Sequence, residues 1–256
     1  MTLTVDLNAD MGESFGPWTM GDDMALLDIV TSANIACGFH AGDPDVMAAT
    51  MGRAVERNVG IGAHPGFDDL QGFGRRKMHI PAASLKNMIR YQLSAAIGMA
   101  KAQGGTVRHL KLHGALSNMA MVDKDMALAC YEAALDIDPD IIIMVLAATE
   151  LEAAVRELGC AWCGEVFADR AYNDDATLVD RSLPGAMIHD AALAGPRIAD
   201  MVEAGAIITA SGKQIPASID TICLHGDTAE AVEIARSVRA ALEGRGIKVE
   251  AFAGRR

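Results

Sequence analysis

Short apolar runs and longer amphipathic stretches alternate along this chain. Runs with the length and composition of buried strands are Thr4–Asn8, Ile29–Ala36, Val59–Ala63, His109–His113, Ile141–Leu146, Glu165–Ala168 and Thr221–His225. Between them the apolar period lengthens to three and four. Leu85, Met88, Ile89, Leu93, Ala96 and Ile97 follow it, and Gly104-Gly105 stops that helix. Asp43-Pro44 supplies an N-cap and a first-turn proline for a helix running to about Asn58. Asp123 caps a helix through Leu135. Thr149 with Glu152, and Asp227 with Glu230, read as capping boxes, opening helices that end at Gly159 and near Gly244.

Two stretches resist this reading. Pro196 falls inside the apolar period of Ala191–Ala204, which predicts a break and a helix from Pro196 to Glu203. Ala171–Ile188 has no clean period and carries Asn-Asp-Asp and Leu-Pro-Gly punctuation, the mark of a long loop, and such loops are often functional.

Strands alternating with helices predict parallel pairing through right-handed crossovers. A closed barrel and an open doubly wound sheet both satisfy that alternation. Polar residues decide between them, because they recur at the C-terminal end of nearly every strand. A barrel gathers those ends at one mouth, whereas an open sheet uses mainly its switch point. The fold class expected is therefore α/β: an irregular (β/α) barrel of seven parallel strands, formed as a single domain over residues 1–256.

The first strand carries the strongest chemistry. Asp6, Asn8 and Asp10 share one face and Val5 and Leu7 the other. A face of that kind needs partners, since an unpaired buried charge is costly. The remaining strand ends add Asn34, His40 and Asp43, then His64, then Arg75 after Gly72-Phe73-Gly74, and finally Asp169, Arg170 and His225. Strand four puts Lys111 and His113 on one face opposite Leu110 and Leu112. An inward lysine calls for a carboxylate or a substrate, and Glu165 or Asp6 is the candidate partner. Blander readings exist for single residues: Asp43 and Asp227 are sufficiently explained as helix caps, and a lone strand-end histidine often serves a turn.

Composition narrows the function. The net charge of -12 argues against a general nucleic-acid surface or an anionic membrane. No apolar run reaches the ~18 residues that span a bilayer, and the amino terminus lacks a signal-peptide pattern, so a cytoplasmic protein is expected. The odd number of cysteines, 5, suits reduced thiols, and Cys160-Ala161-Trp162-Cys163 reads as structural. There is no Gly-x-x-x-x-Gly-Lys-Ser/Thr loop, no Gly-x-Gly-x-x-Gly after the first strand and no Gly-x-Ser-x-Gly elbow. Acid–base or metal-assisted chemistry by His, Asp, Glu and Lys remains.

Five segments taken in order, Asp6–Glu13, Ser32–Asp43, Gly62–Gly66, Leu110–Leu116 and Leu224–Asp227, resemble the LamB/YcsF family over nearly the whole chain. The resemblance implies an irregular (β/α) barrel similar to the polysaccharide deacetylase-like group. It implies opening of the 5-oxo-L-proline lactam to L-glutamate, coupled to ATP hydrolysis, with 5-oxoprolinase subunits B and C as partners. ATP is then a co-substrate bound mainly by those partners. Such hydrolysis needs a base, an acid and a cation facing the developing oxyanion. Asp10 or His113 is the candidate base, Lys111 the charge stabiliser or acid, and Glu165 completes the catalytic set. Asn8, Asn34, His40, His64, Arg75, Arg170 and His225 are candidate substrate-binding residues, with Arg75 or Arg170 for the carboxylate. Deacetylase-like barrels hold a metal with one Asp and two His, and Asp10, His64 and His113 match that set, which leaves a divalent ion open. A metal-dependent deacetylase of an acylated sugar and a noncatalytic ligand-binding subunit are the alternatives. Homo-oligomerisation is left open.

Overall fold

The computed structural model describes residues 2–225 and 231–256. In chain order the elements are β1 (Thr4–Met11), α1 (Asp23–Leu26), β2 (Ser32–Ala36), α2 (Pro44–Glu56), β3 (Gly60–His64), α3 (Ala82–Ala102), β4 (Val107–Lys111), α4 (Gly114–Ala120), α5 (Lys124–Leu135), β5 (Ile142–Leu146), α6 (Glu150–Leu158), β6 (Trp162–Phe167), α7 (Ala191–Ala204), β7 (Ala206–Ile208), β8 (Gln214–Pro216), β9 (Thr221–His225), α8 (Ala231–Gly244) and β10 (Lys248–Val249).

Strands β1 to β6 and β9 pair in parallel, and β9 returns to β1, so the sheet closes into a seven-stranded barrel. The seventh strand is the one predicted at Thr221–His225. The β7–β8 hairpin and β10, paired to the start of β1, stand outside the ring. Closure leaves no free edge and brings all seven C-terminal strand ends to one mouth.

The strands have mostly apolar outer faces: Val5, Leu7, Ala9 and Met11 of β1 are all buried beneath the helices. Strand β1 runs on to Met11, three residues past the predicted end, because Asp10 finds parallel partners in Asn34 and His225. Strand β2 starts later than predicted, at Ser32. Ile29 and Val30 donate back to the Leu26 carbonyl instead, closing a turn after α1. Strand β4 ends at Lys111, so His113 caps α4 rather than extending the strand.

Caps predicted at Asp43, Asp123 and Thr149 all form. Glu152 reaches the Ala148 amide, closing its box one residue earlier than the usual pattern. The pair Asp227 and Glu230 lies outside the described residues.

Pro196 does not break its helix, which runs unbroken over Ala191–Ala204. Gly195 before it has no Cβ to clash with the proline ring. Any Cβ at Gly195 would stand 2.8 Å from the Ser237 carbonyl oxygen, so α8 packs directly on this point. Ser237 Oγ also donates to the Ala191 carbonyl at 2.5 Å, tying the first turn of α7 to α8.

All the free cysteines are buried, including Cys160 and Cys163, in keeping with a structural role. Among the described residues no helix is long and apolar enough to cross a membrane.

Candidate active site

The barrel interior is polar in layers. At its lower end Asp6 accepts hydrogen bonds from Thr31 Oγ1 at 2.6 Å, from Ser32 Oγ at 2.8 Å and from Thr221 Oγ1. Burial raises this carboxyl to about 6, against the pull of those hydroxyls. One layer higher, Asn8 Nδ2 donates to Thr221 Oγ1 at 2.7 Å. Asn34 Nδ2 donates both to Asn8 Oδ1 at 2.7 Å and to Asp10 Oδ1 at 2.9 Å. His109 Nε2 donates to Asn34 Oδ1 at 2.7 Å, and its ring fills the space over Gly62, where a Cβ would fall 2.0 Å from Nε2.

Asn8 and Asn34, expected as substrate-binding residues, are fully buried and spend their amides inside this network. Their place is beneath the cavity, where they fix Asp10. The alternation on β1 identified an inward polar face correctly but could not rank its depth.

At the mouth, Lys111 Nζ stands 2.8 Å from Asp10 Oδ1, 2.9 Å from Glu165 Oε1 and 3.0 Å from Cys223 Sγ. Burial disfavours the lysine charge, but Asp10, Cys223 and Glu165 outweigh it and hold the ammonium well above its ordinary range. Burial likewise raises Asp10, and His64 and Lys111 together carry it well below the usual carboxylate range. Both groups are therefore charged at neutral pH. Glu165 is the partner predicted for Lys111; Asp6, the other candidate, lies too deep and serves Thr221.

Beside this pair sits a histidine cluster. His64 Nδ1 donates to the Lys111 carbonyl at 2.8 Å, and His113 Nε2 donates to the Phe73 carbonyl at 2.8 Å. Carbonyls only accept, so each ring carries a proton on that side. The opposite nitrogens, His64 Nε2 and His113 Nδ1, face each other at 3.0 Å. Asp10 Oδ2 lies 3.4 Å from His64 Nε2, and Glu13 Oε1 lies 3.7 Å from His113 Nδ1 and 3.4 Å from His40 Nε2.

His40 stacks on His113 with centroids 3.6 Å apart. Burial, reinforced by the neighbouring histidines, holds both of these rings well below the ordinary histidine range. Gly74, at φ +62°, makes room for them, since a Cβ there would meet His40 Cβ at 2.7 Å and His113 Cδ2 at 2.8 Å.

The cluster converges several ring nitrogens and a carboxylate on one point, an arrangement able to hold a metal ion. Glu13, His40, His64 and His113 each offer a ligand atom within 4.8 Å of the others. Two or three imidazoles with a carboxylate suit a divalent transition ion. Asp10, expected beside His64 and His113 as a ligand, gives one oxygen to Lys111 and Asn34 and turns the other toward His64 Nε2 at 3.4 Å, and Glu13 joins the histidines as a further carboxylate. Glu13 follows Gly12 directly after β1, so its strand-end position was the available signal.

A cavity of about 530 Å³ opens above these groups. Asp10, His64, Arg75, Lys111, His113 and Arg170 reach it, as does His225. Of the expected residues, Asn8, Asn34, His40 and Glu165 do not line it. His40 faces a neighbouring, mostly apolar pocket with Phe15, Trp18 and Phe73. Arg75 lies over the Phe73 ring at 4.8 Å, and Arg170 Nη2 donates to the Val179 carbonyl at 2.6 Å, pinning the long loop. The wall opposite the histidine cluster holds His225, whose Nδ1 lies 2.6 Å from Asp169 Oδ2 and whose Nε2 lies 3.0 Å from Arg181 Nη2. Arg181 stands in the unpatterned loop, where no period marks it.

Fold and site together define a closed seven-stranded (β/α) barrel protein with a lysine–carboxylate pair and a histidine cluster at its C-terminal mouth. The model of the LamB/YcsF family matches residues 5–256, and the chain belongs to that family. It is 73% identical over 248 residues to the 5-oxoprolinase A subunit of Ruegeria pomeroyi, covering 97% of this chain and 98% of that one. It is 52% identical over 249 residues to the 5-oxoprolinase A subunit of Gluconobacter oxydans, covering 97% and 98% respectively. Among solved structures it superposes on the lactam utilization protein of Thermus thermophilus with a TM-score of 0.92, at 40% identity, covering 98% of this chain and 100% of that one. The relatives are each one subunit of their enzyme by name, which implies partner subunits for those enzymes.

Proposed function

We propose that this chain is the ring-opening subunit of a 5-oxoprolinase, converting 5-oxo-L-proline to L-glutamate at the barrel mouth. ATP hydrolysis drives the reaction, and in this reading partner subunits B and C bind the nucleotide. The observation that carries the reading is Lys111, held as a buried cation between Asp10 and Glu165 at the floor of a cavity of about 530 Å³.

Water must add to the lactam carbon, and charge then grows on the former carbonyl oxygen. A preorganised ammonium facing that oxygen stabilises it without reorganisation. Lys111 is raised well above its ordinary range, so it serves as a fixed charge and not as the proton donor. Arg75 and Arg170 line the same cavity and match a carboxylate bidentately, which suits the substrate's one permanent anion.

In the same reading Glu13, His64 and His113, with His40 as a further donor, hold a divalent ion. When bound, such an ion polarises a carbonyl or lowers the pKa of water.

The test is glutamate release from 5-oxoproline and ATP by this chain alone, by the partner subunits alone and by all of them together. Release only from the full mixture supports the reading. No release from a mixture whose subunits are folded and assembled contradicts it.

A further inference from the structure

Several titratable groups reaching the cavity have partners that limit what they do, and comparison of those partners singles out His225. Asp10 Oδ1 is taken by Lys111 and Asn34. Lys111 is fixed as a cation between two carboxylates. His64 Nε2 and His113 Nδ1 are turned toward each other, and His113 Nδ1 also toward Glu13. Asp175 and Asp180 cap turns of their own loop, accepting from Thr177 and Ser182.

His225 is placed differently. Its Nδ1 contacts Asp169 Oδ2 at 2.6 Å and its Nε2 contacts Arg181 Nη2 at 3.0 Å. Burial raises Asp169, but His225, Arg181 and Arg170 outweigh it and leave the carboxyl below its ordinary range. It is an acceptor only, so the proton between them sits on Nδ1. A guanidinium is a donor only, so Nε2 presents its lone pair to Arg181. Partners on both sides thus fix one tautomer, with an accepting nitrogen at the cavity. Phe167 stacks on the ring at 5.3 Å and 21°, holding its plane. Asp10 and His225 are register partners on adjacent strands, which sets this nitrogen beside the Lys111 floor.

We propose that His225, oriented by Asp169 and covered by Arg181, is the proton shuttle of the ring-opening step. The proposal rests on the ring-opening reading above. When Arg181 swings onto the anionic substrate, Nε2 is uncovered. It takes a proton from water as the water oxygen bonds to the lactam carbon. It returns that proton to the ring nitrogen as the carbon–nitrogen bond breaks. The water supplies one oxygen to the new carboxyl and one proton to the new amine, and His225 ends as it began. In this scheme His225 is a catalytic residue and Asp169 a positioning residue.

The experiment compares the assembled enzyme carrying wild type, His225→Ala, His225→Gln or Asp169→Asn in this chain, each checked for assembly and melting temperature. His225→Ala is expected to lose about 100-fold or more in kcat, with KM for 5-oxoproline within about threefold and partial restoration by added imidazole. His225→Gln, which keeps the side chain's polarity, is expected to be equally slow. Asp169→Asn is expected to move the acid limb of the kcat profile to lower pH, because the imidazolium formed in the reaction loses its counter-charge. A kcat within about threefold of wild type in His225→Ala, a loss confined to KM, or a loss that imidazole leaves untouched overturns the proposal. A wild-type assembly that releases no glutamate fails the ring-opening reading itself and takes this proposal with it.

Discussion

His64 Nε2 and His113 Nδ1 face each other across 3.0 Å, and each ring also donates an N–H to a main-chain carbonyl on its far side. That separation accommodates a shared proton or, with both near nitrogens deprotonated, two lone pairs turned toward one metal ion. With Glu13 and His40 alongside, the cluster is expected to bind about one equivalent of a transition ion. Elemental analysis after metal loading and desalting checks this, and His64→Ala or His113→Ala should abolish retention. Wild-type protein that retains no ion contradicts it.

Asp6 gives the chain a pH-dependent stability. In the folded state its carboxyl titrates at about 6, against 3.8 for the ordinary group. The folded protein therefore holds the proton through a window in which the unfolded chain has lost it. The stability from this group is full below 3.8 and is lost as pH rises through about 6. The change is on the order of 3 kcal/mol. Urea unfolding of wild type and Asp6→Asn from about pH 4 to pH 7 should show the variant gaining on wild type as pH rises. Parallel curves would count against it.

Asn34 holds Asp10 in register with Lys111. Asn34→Ala removes the donor to both Asn8 and Asp10 and leaves His109 Nε2 without its acceptor. Each buried group so stranded costs about 1–3 kcal/mol. A melting-temperature drop is expected together with a fall in kcat, since the carboxylate facing Lys111 is no longer fixed. A stable variant with wild-type kcat would contradict this role.

Gly62 is a packing requirement of the barrel interior. A methyl group there falls 2.0 Å from His109 Nε2, whose ring is fully buried and hydrogen-bonded. Gly62→Ala should lose about 1–3 kcal/mol or more through forced displacement of that ring. Denaturant titration reads it directly, and an unchanged midpoint would refute the packing account.

Much of this architecture was legible in the chain. Strand spacing, polar strand ends and glycine punctuation pointed to the closed parallel barrel and its functional mouth. The cost of an inward lysine pointed to a carboxylate partner, Glu165 or Asp6, and the structure supplies Glu165 together with Asp10. Depth was not legible: Asn8 and Asp10 share one face of β1 and Asn34 of β2 pairs in register with Asp10, yet of the three only Asp10 lines the cavity. Pro196 misled because its tolerance comes from Gly195 and from α8 packing, both tertiary facts. Arg181 was invisible because it arrives on a loop without period, and His225 gains its meaning only from Asp169 and Arg181 on other segments.

The rate of glutamate release by the assembled enzyme carrying Lys111→Met in this chain tests the role of the buried ammonium. Removing one partner of a buried charge pair costs about 3–5 kcal/mol of stability, so assembly and folding are verified at the assay temperature. A kcat lower by about 10²–10³ is expected, the scale of a lost oxyanion-stabilising group. A folded, assembled Lys111→Met enzyme releasing glutamate at the wild-type rate would place the chemistry elsewhere.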